Sequence, residues 1–345
     1  MFDKRAKQCF GFFFLFMLAV GLFAGCRPIY PELKLNPPEN LDTVTAPTPN
    51  YQPNVPDSFG PEAVYVRLAV APVFSPLQTR ENYLKLLAYL SDKLEQPVEL
   101  VLRSTYAEID QLLKQSLADI AFVGSRSYIE LEKSGEIELL AIPQIKGQNE
   151  HHSYIIVPDK SNVYSLEDLR GEKFLFTDPL SFPGKLYVLC RLSQMGKRPE
   201  TFFSDTIYSY SNDSSVIAVT EGWVRGAAVD SVVYNYLLEK NPELEGKTRI
   251  IETSPAVGNP PIVVSSSVPV EFREKLKDIF SVMHNDIKGR EALAEMGVEC
   301  FVSGNDENYD VIRRILAEAE EGSQADILKG RESELPAVVE EDPAK

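Results

Sequence analysis

The chain predicts an α/β protein built from parallel sheets covered on both faces by helices. Three observations carry this. From residue 64 onward, short β-branched or apolar runs alternate with stretches whose apolar residues recur at helical spacing. The alternation continues to about residue 319 with no internal repeat. Hydrophobic residues make up 44%, an ordinary globular value, and the length allows two modest units around a sizeable core.

Residues 64–70 read as the first strand. Tyr83, Leu86, Leu87, Leu90 and Leu94 then share one face of a helix. Residues 98–102 read as a strand, and Tyr106, Ile109, Leu113 and Leu117 form a second helical stripe. Strands at 119–123 and 137–142 follow, and 154–157 opens a new region. Ser165-Leu166-Glu167-Asp168 fits a helix start resembling a capping box, before a strand at 173–176. Strand 206–208, helix 214–221, strand 227–229, helix 232–238 and strand 249–251 continue the alternation. Residues 260–264 form a last strand, followed by helices near 270–283, 288–296 and 308–319.

The flanks read differently. Lys4, Arg5 and Lys7 precede an apolar stretch over 10–25 that ends Phe23-Ala24-Gly25-Cys26. This is the layout of a bacterial secretory signal, and it is shorter than the ~18 residues that would span a membrane. Cys26 reads as a lipobox cysteine, diacylated after removal of residues 1–25, although Phe23 stands where leucine is usual. An ordinary signal peptide with an incidental cysteine is the alternative. Residues 26–62 carry Pro28, Pro31, Pro37, Pro38 and further prolines, and read as an extended spacer from the membrane. Residues 321–345 read as a disordered acidic tail. A net charge of −16 argues against nucleic-acid binding, which needs basic patches. The expectation is an extracytoplasmic protein, lipid-anchored to a bacterial membrane. Cys190 and Cys300 remain for the folded body. A disulfide is permitted there, and two separate buried thiols are the favoured reading.

Catalytic signatures are missing: the sequence holds no HExxH, CxxC, Gly-rich phosphate loop or GxSxG. His151 and His152, being adjacent, point to opposite sides of a strand and read as a solvated linker rather than a metal site. No catalytic residue, metal ligand or cofactor is assigned.

Several segments, in this order, carry a resemblance. They are residues 89–98, Tyr106, Leu117-Ala118-Asp119-Ile120-Ala121-Phe122-Val123-Gly124 and Leu166-Glu167-Asp168-Leu169-Arg170-Gly171. Asp178-Pro179-Leu180-Ser181-Phe182-Pro183-Gly184 and 216–219 follow, then 227–230 and Ser254-Pro255-Ala256-Val257-Gly258-Asn259-Pro260-Pro261. Across 64–319 the chain resembles the phosphate/phosphite/phosphonate-binding proteins of ABC importers, a branch of the type 2 periplasmic binding proteins. The resemblance implies two lobes, 63–152 with 259–320 and 153–258. Each would be a mostly parallel sheet flanked by helices, and two hinge strands near 154–157 and 260–264 would join them. It implies a ligand held at helix starts near Ser125, 181–184 and 211–215, where free N–H groups and the helix dipole favour an anion. Gly184 would allow close backbone approach.

Tyr106, Ser181 and Asp230 fit the family's ligand-contacting tyrosine, serine and acid. The plainer readings are that Tyr106 is core and that Ser181 and Asp230 only cap helices. The chain departs from the family at Ser181-Phe182-Pro183-Gly184, where Ser-Thr-Ser-Gly is usual. It departs again at Tyr210-Ser211-Asn212-Asp213, where Gly-Ser-His-Asp is usual. Phe182, Tyr210, Ser211 and Asn212 therefore join the candidate contacts, and the expected ligand is larger or less charged than a bare phosphonate. The implied function is a monomeric solute-binding lipoprotein that passes a small anionic or zwitterionic ligand to an ABC permease. A sensory accessory lipoprotein serving a membrane kinase or chemoreceptor is the alternative, and an enzyme on the same fold is a third reading.

Overall fold

The structure, a computed structural model, describes residues 64–317. The expected signal, Cys26, the proline-rich spacer and the acidic tail lie outside the described residues.

β1 (Val66–Val70) leads into α1 (Pro76–Leu94), which opens on a proline, where a missing N–H costs nothing. Leu86, Leu87, Leu90 and Leu94 of the expected stripe form its buried face. β2 (Val98–Leu102) and β3 (Ile120–Phe122) pair parallel with β1, one on each side. Between them α2 (Tyr106–Lys114) starts at a complete capping box formed by Thr105 and Glu108. α3 (Ser125–Ser134) follows β3 and is succeeded by β4 (Ile137–Gln144).

The chain then crosses through β5 (Glu150–His151) into a second sheet. That sheet holds β6 (Ser153–Pro158), β7 (Lys173–Phe176), β8 (Asp205–Tyr208), β9 (Gly226–Asp230) and β10 (Thr248–Thr253), in the order β10-β6-β9-β7-β8. α4 (Tyr187–Gln194), α5 (Pro199–Phe202), α6 (Asn212–Thr220) and α7 (Ser231–Lys240) connect its strands. β11 (Val257–Gly258) crosses back, antiparallel to β5. β12 (Ile262–Ser265), α8 (Val270–Val282), α9 (Ile287–Met296) and β13 (Cys300–Val302) follow. The first sheet then has six strands in the order β13-β4-β12-β3-β1-β2.

The α/β expectation and the two sheets hold, with more mixed pairing than expected. β1 with β2 and β3, and β7 with β8 and β9, are parallel. Every pairing of β4, β6, β10, β12 and β13 is antiparallel. β6 and β12 enter their sheets from the crossings and not over a helix, so nothing aligns them with their neighbours.

The crossings themselves correct the sequence reading. Residues 154–157 and 260–264 fall largely within β6 and β12, whose apolar runs are buried inside the two sheets. The joint is instead the β5–β11 ribbon, pairing Val257 with His151 and Gly258 with Glu150. Two residues per strand carry too little pattern to be read from sequence. The Ser165 helix start is a second correction. Only a 3₁₀ turn, Glu167–Leu169, forms there, and the Asp168 carboxylate accepts the N–H groups of Tyr164 (2.9 Å) and Ser165 (3.0 Å). The last expected helix begins as a 3₁₀ turn, Asp306–Tyr309, and continues helically over 310–317. No disulfide joins the two remaining cysteines: Cys190 is buried on α4, and Cys300 is only partly buried on β13.

One apolar cluster runs from Ala69 and Val263 of the first sheet to Ile155, Phe174 and Phe176 of the second, passing Val257 and Tyr309 at the ribbon. The β1–α1 loop also reaches across, placing Val73 and Phe74 against the apolar cluster that includes Val229 and Val233, with the Phe74 ring 5.3 Å from that of Tyr236.

Candidate functional site

The loops that leave β1, β3, β7 and β9 meet between the two sheets. Asp178, directly after β7, accepts the N–H of Tyr106 at 3.2 Å and that of Leu180 at 2.8 Å. Burial pushes its carboxyl pKa up, and those two N–H groups, with Lys185 and Arg126, hold it back. The Tyr106 phenol is buried beside Ser181, Asp178 and Asp230. Desolvation first, then these carboxylates, raises its pKa far above the ordinary value. Ser181 Oγ accepts the N–H of Gly184 at 2.9 Å and so caps the π-helical turn Phe182–Leu186, which runs straight into α4.

Gly184 is needed for close approach, but to the protein itself. A Cβ there would lie 2.4 Å from Thr177 Cβ and 2.6 Å from its hydroxyl. Gly184→Ala is therefore expected to cost about 1–3 kcal/mol, measured by urea unfolding.

Asn212 ties several elements together. Its carbonyl accepts the N–H of Asp230 at 2.9 Å and the Thr177 hydroxyl at 3.4 Å. Its side-chain and backbone N–H groups both donate to Val73 O, at 2.9 and 3.0 Å. Asp213 accepts the N–H of Ser75 at 2.9 Å. The start of α6, expected to cradle an anion, is thus occupied by a carbonyl from the β1–α1 loop, and the two sheets are clasped there. Ser211 is buried and donates to Ser214 Oγ at 2.6 Å. Tyr210 points away. It is 40% exposed, at φ 58°, with its ring 5.9 Å from that of Tyr208. Phe182 is fully buried, its ring 6.5 Å from that of His151.

His151 overturns the solvated-linker expectation. It is 1% exposed, with Nδ1 2.7 Å from Asp230 Oδ2 and Nε2 3.0 Å from Ser125 Oγ. Ser, His and Asp in this order resemble a nucleophilic triad. Two facts oppose that role. All three are buried, and Ser125 donates its one proton to Gly258 O at 2.8 Å. Since that carbonyl can only accept, Nε2 donates to Ser125, and the Asp230 contact needs a second proton, on Nδ1 or on the carboxyl. The triad is a strut across the ribbon. His152 faces the other way, with Nδ1 2.8 Å from Ser254 O.

Tyr106, Ser125, Ser181, Gly184, Asn212 and Asp230 thus converge on one network, Phe182 and Ser211 border it, and Tyr210 stands outside. Besides His151, sequence reasoning missed two cations. Arg126 is buried at the start of α3, bonded to Glu130 (2.8 Å) and Pro179 O (3.3 Å). The Lys185 ammonium sits 5.0 Å from the Tyr208 ring centre, and burial, then Arg126, depresses its pKa. Each directly follows a candidate contact residue, which was the only available signal.

Beside this network lies a cavity of about 80 Å³ lined from both sheets: Val70 of β1, Asn82 and Tyr83 of α1 and Phe122 of β3 face Asp230 of β9, with Asn259 from the crossing. Of the expected contact residues, only Asp230 lines it.

Two mixed sheets joined by a paired crossing, with a cavity lined from both, define a two-lobed solute-binding protein of the type 2 periplasmic kind. The comparisons with known proteins are specific. The family model described as "ABC transporter, phosphonate, periplasmic substrate-binding protein" matches residues 68–309, and the chain belongs to that family. A binding protein component of an ABC phosphonate transporter from Pseudomonas aeruginosa is 22% identical. The match covers 76% of this chain and 89% of that one, with a TM-score of 0.70. PhnD1 from Prochlorococcus marinus, solved in complex with methylphosphonate, is 17% identical. There the match covers 73% and 96%, with a TM-score of 0.66. A Xanthomonas citri protein bound to chloride ion is 16% identical over 76% and 99%, with a TM-score of 0.62. At these identities the likeness is one of fold. Family membership makes this a substrate-binding transport protein, places it outside the cytoplasm, and gives it a small-molecule ligand and an ABC permease as partners.

Proposed function

We propose that this chain is a lipid-anchored, monomeric solute receptor of an ABC importer, tethered through Cys26 and closing on its ligand about the β5–β11 ribbon. The observation that supports this best is the cavity. Val70, Asn82 and Phe122 reach it from one sheet and Asp230 from the other, so a bound solute gains full contact only when the halves are together. Differential affinity for the closed arrangement is what a permease can sense. Asn212 with Val73, and Asp213 with Ser75, act as the clasp of that closed arrangement. The backbone and side-chain N–H groups of Asn212, which an anion could take at the start of α6, are spent on Val73 O, which separates this receptor from a simple phosphonate cradle.

Native mass spectrometry of the mature chain, purified from the cells that make it, is the test. The expected spectrum shows one small solute per chain, released unchanged on denaturation. A chain that carries no solute and takes none from an extract of small molecules would sink the proposal, as would chemical conversion of the bound species.

A further inference from the structure

Tyr236 stands on α7 of the second half, yet its contacts lie in the first. Its hydroxyl is 3.1 Å from Asn82 Oδ1 on α1 and 3.3 Å from Glu295 O on α9, so it bonds to the first half whichever oxygen takes the proton. Its ring meets that of Phe74, in the β1–α1 loop, edge to face at 5.3 Å. Val233, Tyr234 and Leu237 of the same helix pack into the apolar cluster of their own sheet, and Tyr236 is not part of that cluster. It lies on the flank of α7 that faces away from its own core.

The first half is shaped to receive the ring. Gly297 ends α9 in the left-handed conformation, at φ 70°, and a Cβ there would lie 2.9 Å from Tyr236 Cδ2. Phe74 and Asn82 also line the cavity, while Tyr236 does not. The ring therefore seats against residues that wall the cavity and stays clear of what the cavity holds. The neighbouring cross-contact carries less weight. Lys146 pairs with Glu239, three residues further along α7, but both side chains are more than half exposed, and such an ion pair contributes little.

We propose that Tyr236 is a latch: a positioning residue that, without touching the solute, sets what fraction of the chain is closed and so how tightly a solute is held. This rests on the receptor role proposed above and adds the regulation of the same cavity. Apparent affinity scales with the fraction of the chain in the binding-competent arrangement, so a latch raises it with no new contact to the solute. Loss of the latch moves the population toward the open form by as much as the lost contacts favoured the closed one.

Hydrogen exchange on the full chain, stripped of small solutes, tests this. Ser75 N–H bonds to Asp213 Oδ1 and Asn212 N–H to Val73 O, both across the halves, so these two amides report separation. Leu68 of β1 and Leu175 of β7 lie buried within the separate sheets, and their amides report unfolding. Tyr236→Phe keeps the ring and removes the hydroxyl. It is expected to speed exchange at Ser75 and Asn212 about two- to tenfold, the equilibrium worth of one hydrogen bond. Tyr236→Ala, which empties the socket, should speed both further, with Leu68 and Leu175 keeping the parent's rates in either variant. Unchanged exchange at Ser75 and Asn212 in Tyr236→Ala would overturn the latch. Equal acceleration at all four amides would overturn it too, since that is the mark of a merely structural residue. The readout needs no solute, so the two proposals fail separately: native mass spectrometry judges the receptor role, and exchange judges the latch.

Discussion

His151→Leu is expected to destabilise the folded chain by about 1–3 kcal/mol, the usual loss when a buried hydrogen-bonding group is left without its partner. The substitution leaves Asp230, 3% exposed, facing a hydrocarbon where a ring nitrogen stood 2.7 Å away. It also strips Ser125 of its ring contact at 3.0 Å. Leucine fits the apolar neighbourhood of Phe182, so the loss reflects the unpaired carboxylate more than a void. Urea unfolding gives the magnitude, and a double-mutant cycle with Asp230→Asn isolates the pair. The combined loss should be smaller than the sum of the single losses, because the second substitution removes a group already stranded. A single-mutant loss below about 1 kcal/mol would show that the ribbon does not depend on this contact.

Asp110→Asn is expected to do the opposite at neutral and alkaline pH. Asp110 lies buried on α2 near Ser127, and desolvation pushes its carboxyl pKa up to about 7, with Ser127 partly offsetting this and Glu130 adding to it. In the unfolded chain the same group titrates near 3.8. Between these values the unfolded chain has lost its proton and the folded chain keeps it. Stability therefore falls as pH rises from about 4 to about 7, and this contribution is flat above that range. The full span corresponds to at most about 4 kcal/mol. Asparagine cannot ionise. The variant should melt higher than the parent at pH 8, match it at pH 4, and show a flatter profile between. Parallel melting profiles for parent and variant across that range would contradict the expectation.

Much of the fold was legible from local pattern. The α1 stripe from Leu86 to Leu94 and the apolar runs of β1, β3, β6 and β12 were readable because burial imposes its period on neighbouring residues. The residues that build the site were harder. Asp230 and Asn212 were found through family motifs, yet their partners were not, because His151 is 79 residues from Asp230 and Val73 is 139 from Asn212. Asn82 was invisible: a lone asparagine inside a helix carries no periodic mark, and its significance lies in the Tyr236 hydroxyl that reaches it from 154 residues away.

Taken alone, the order of residues determined the α/β class, the succession of elements, and a family membership strong enough to place candidate contacts. Those properties depend on short-range spacing and on motifs that survive as strings. The three-dimensional arrangement decided that the crossing is a two-residue ribbon, that His151 braces it, and that the α6 start is filled by a backbone carbonyl. It also decided that the cavity between the sheets is mostly apolar, with Asp230 as the acidic residue in its lining. Hydrogen-bond saturation and burial are properties of atoms brought together from distant parts of the chain, and no local pattern encodes which of them will be paired.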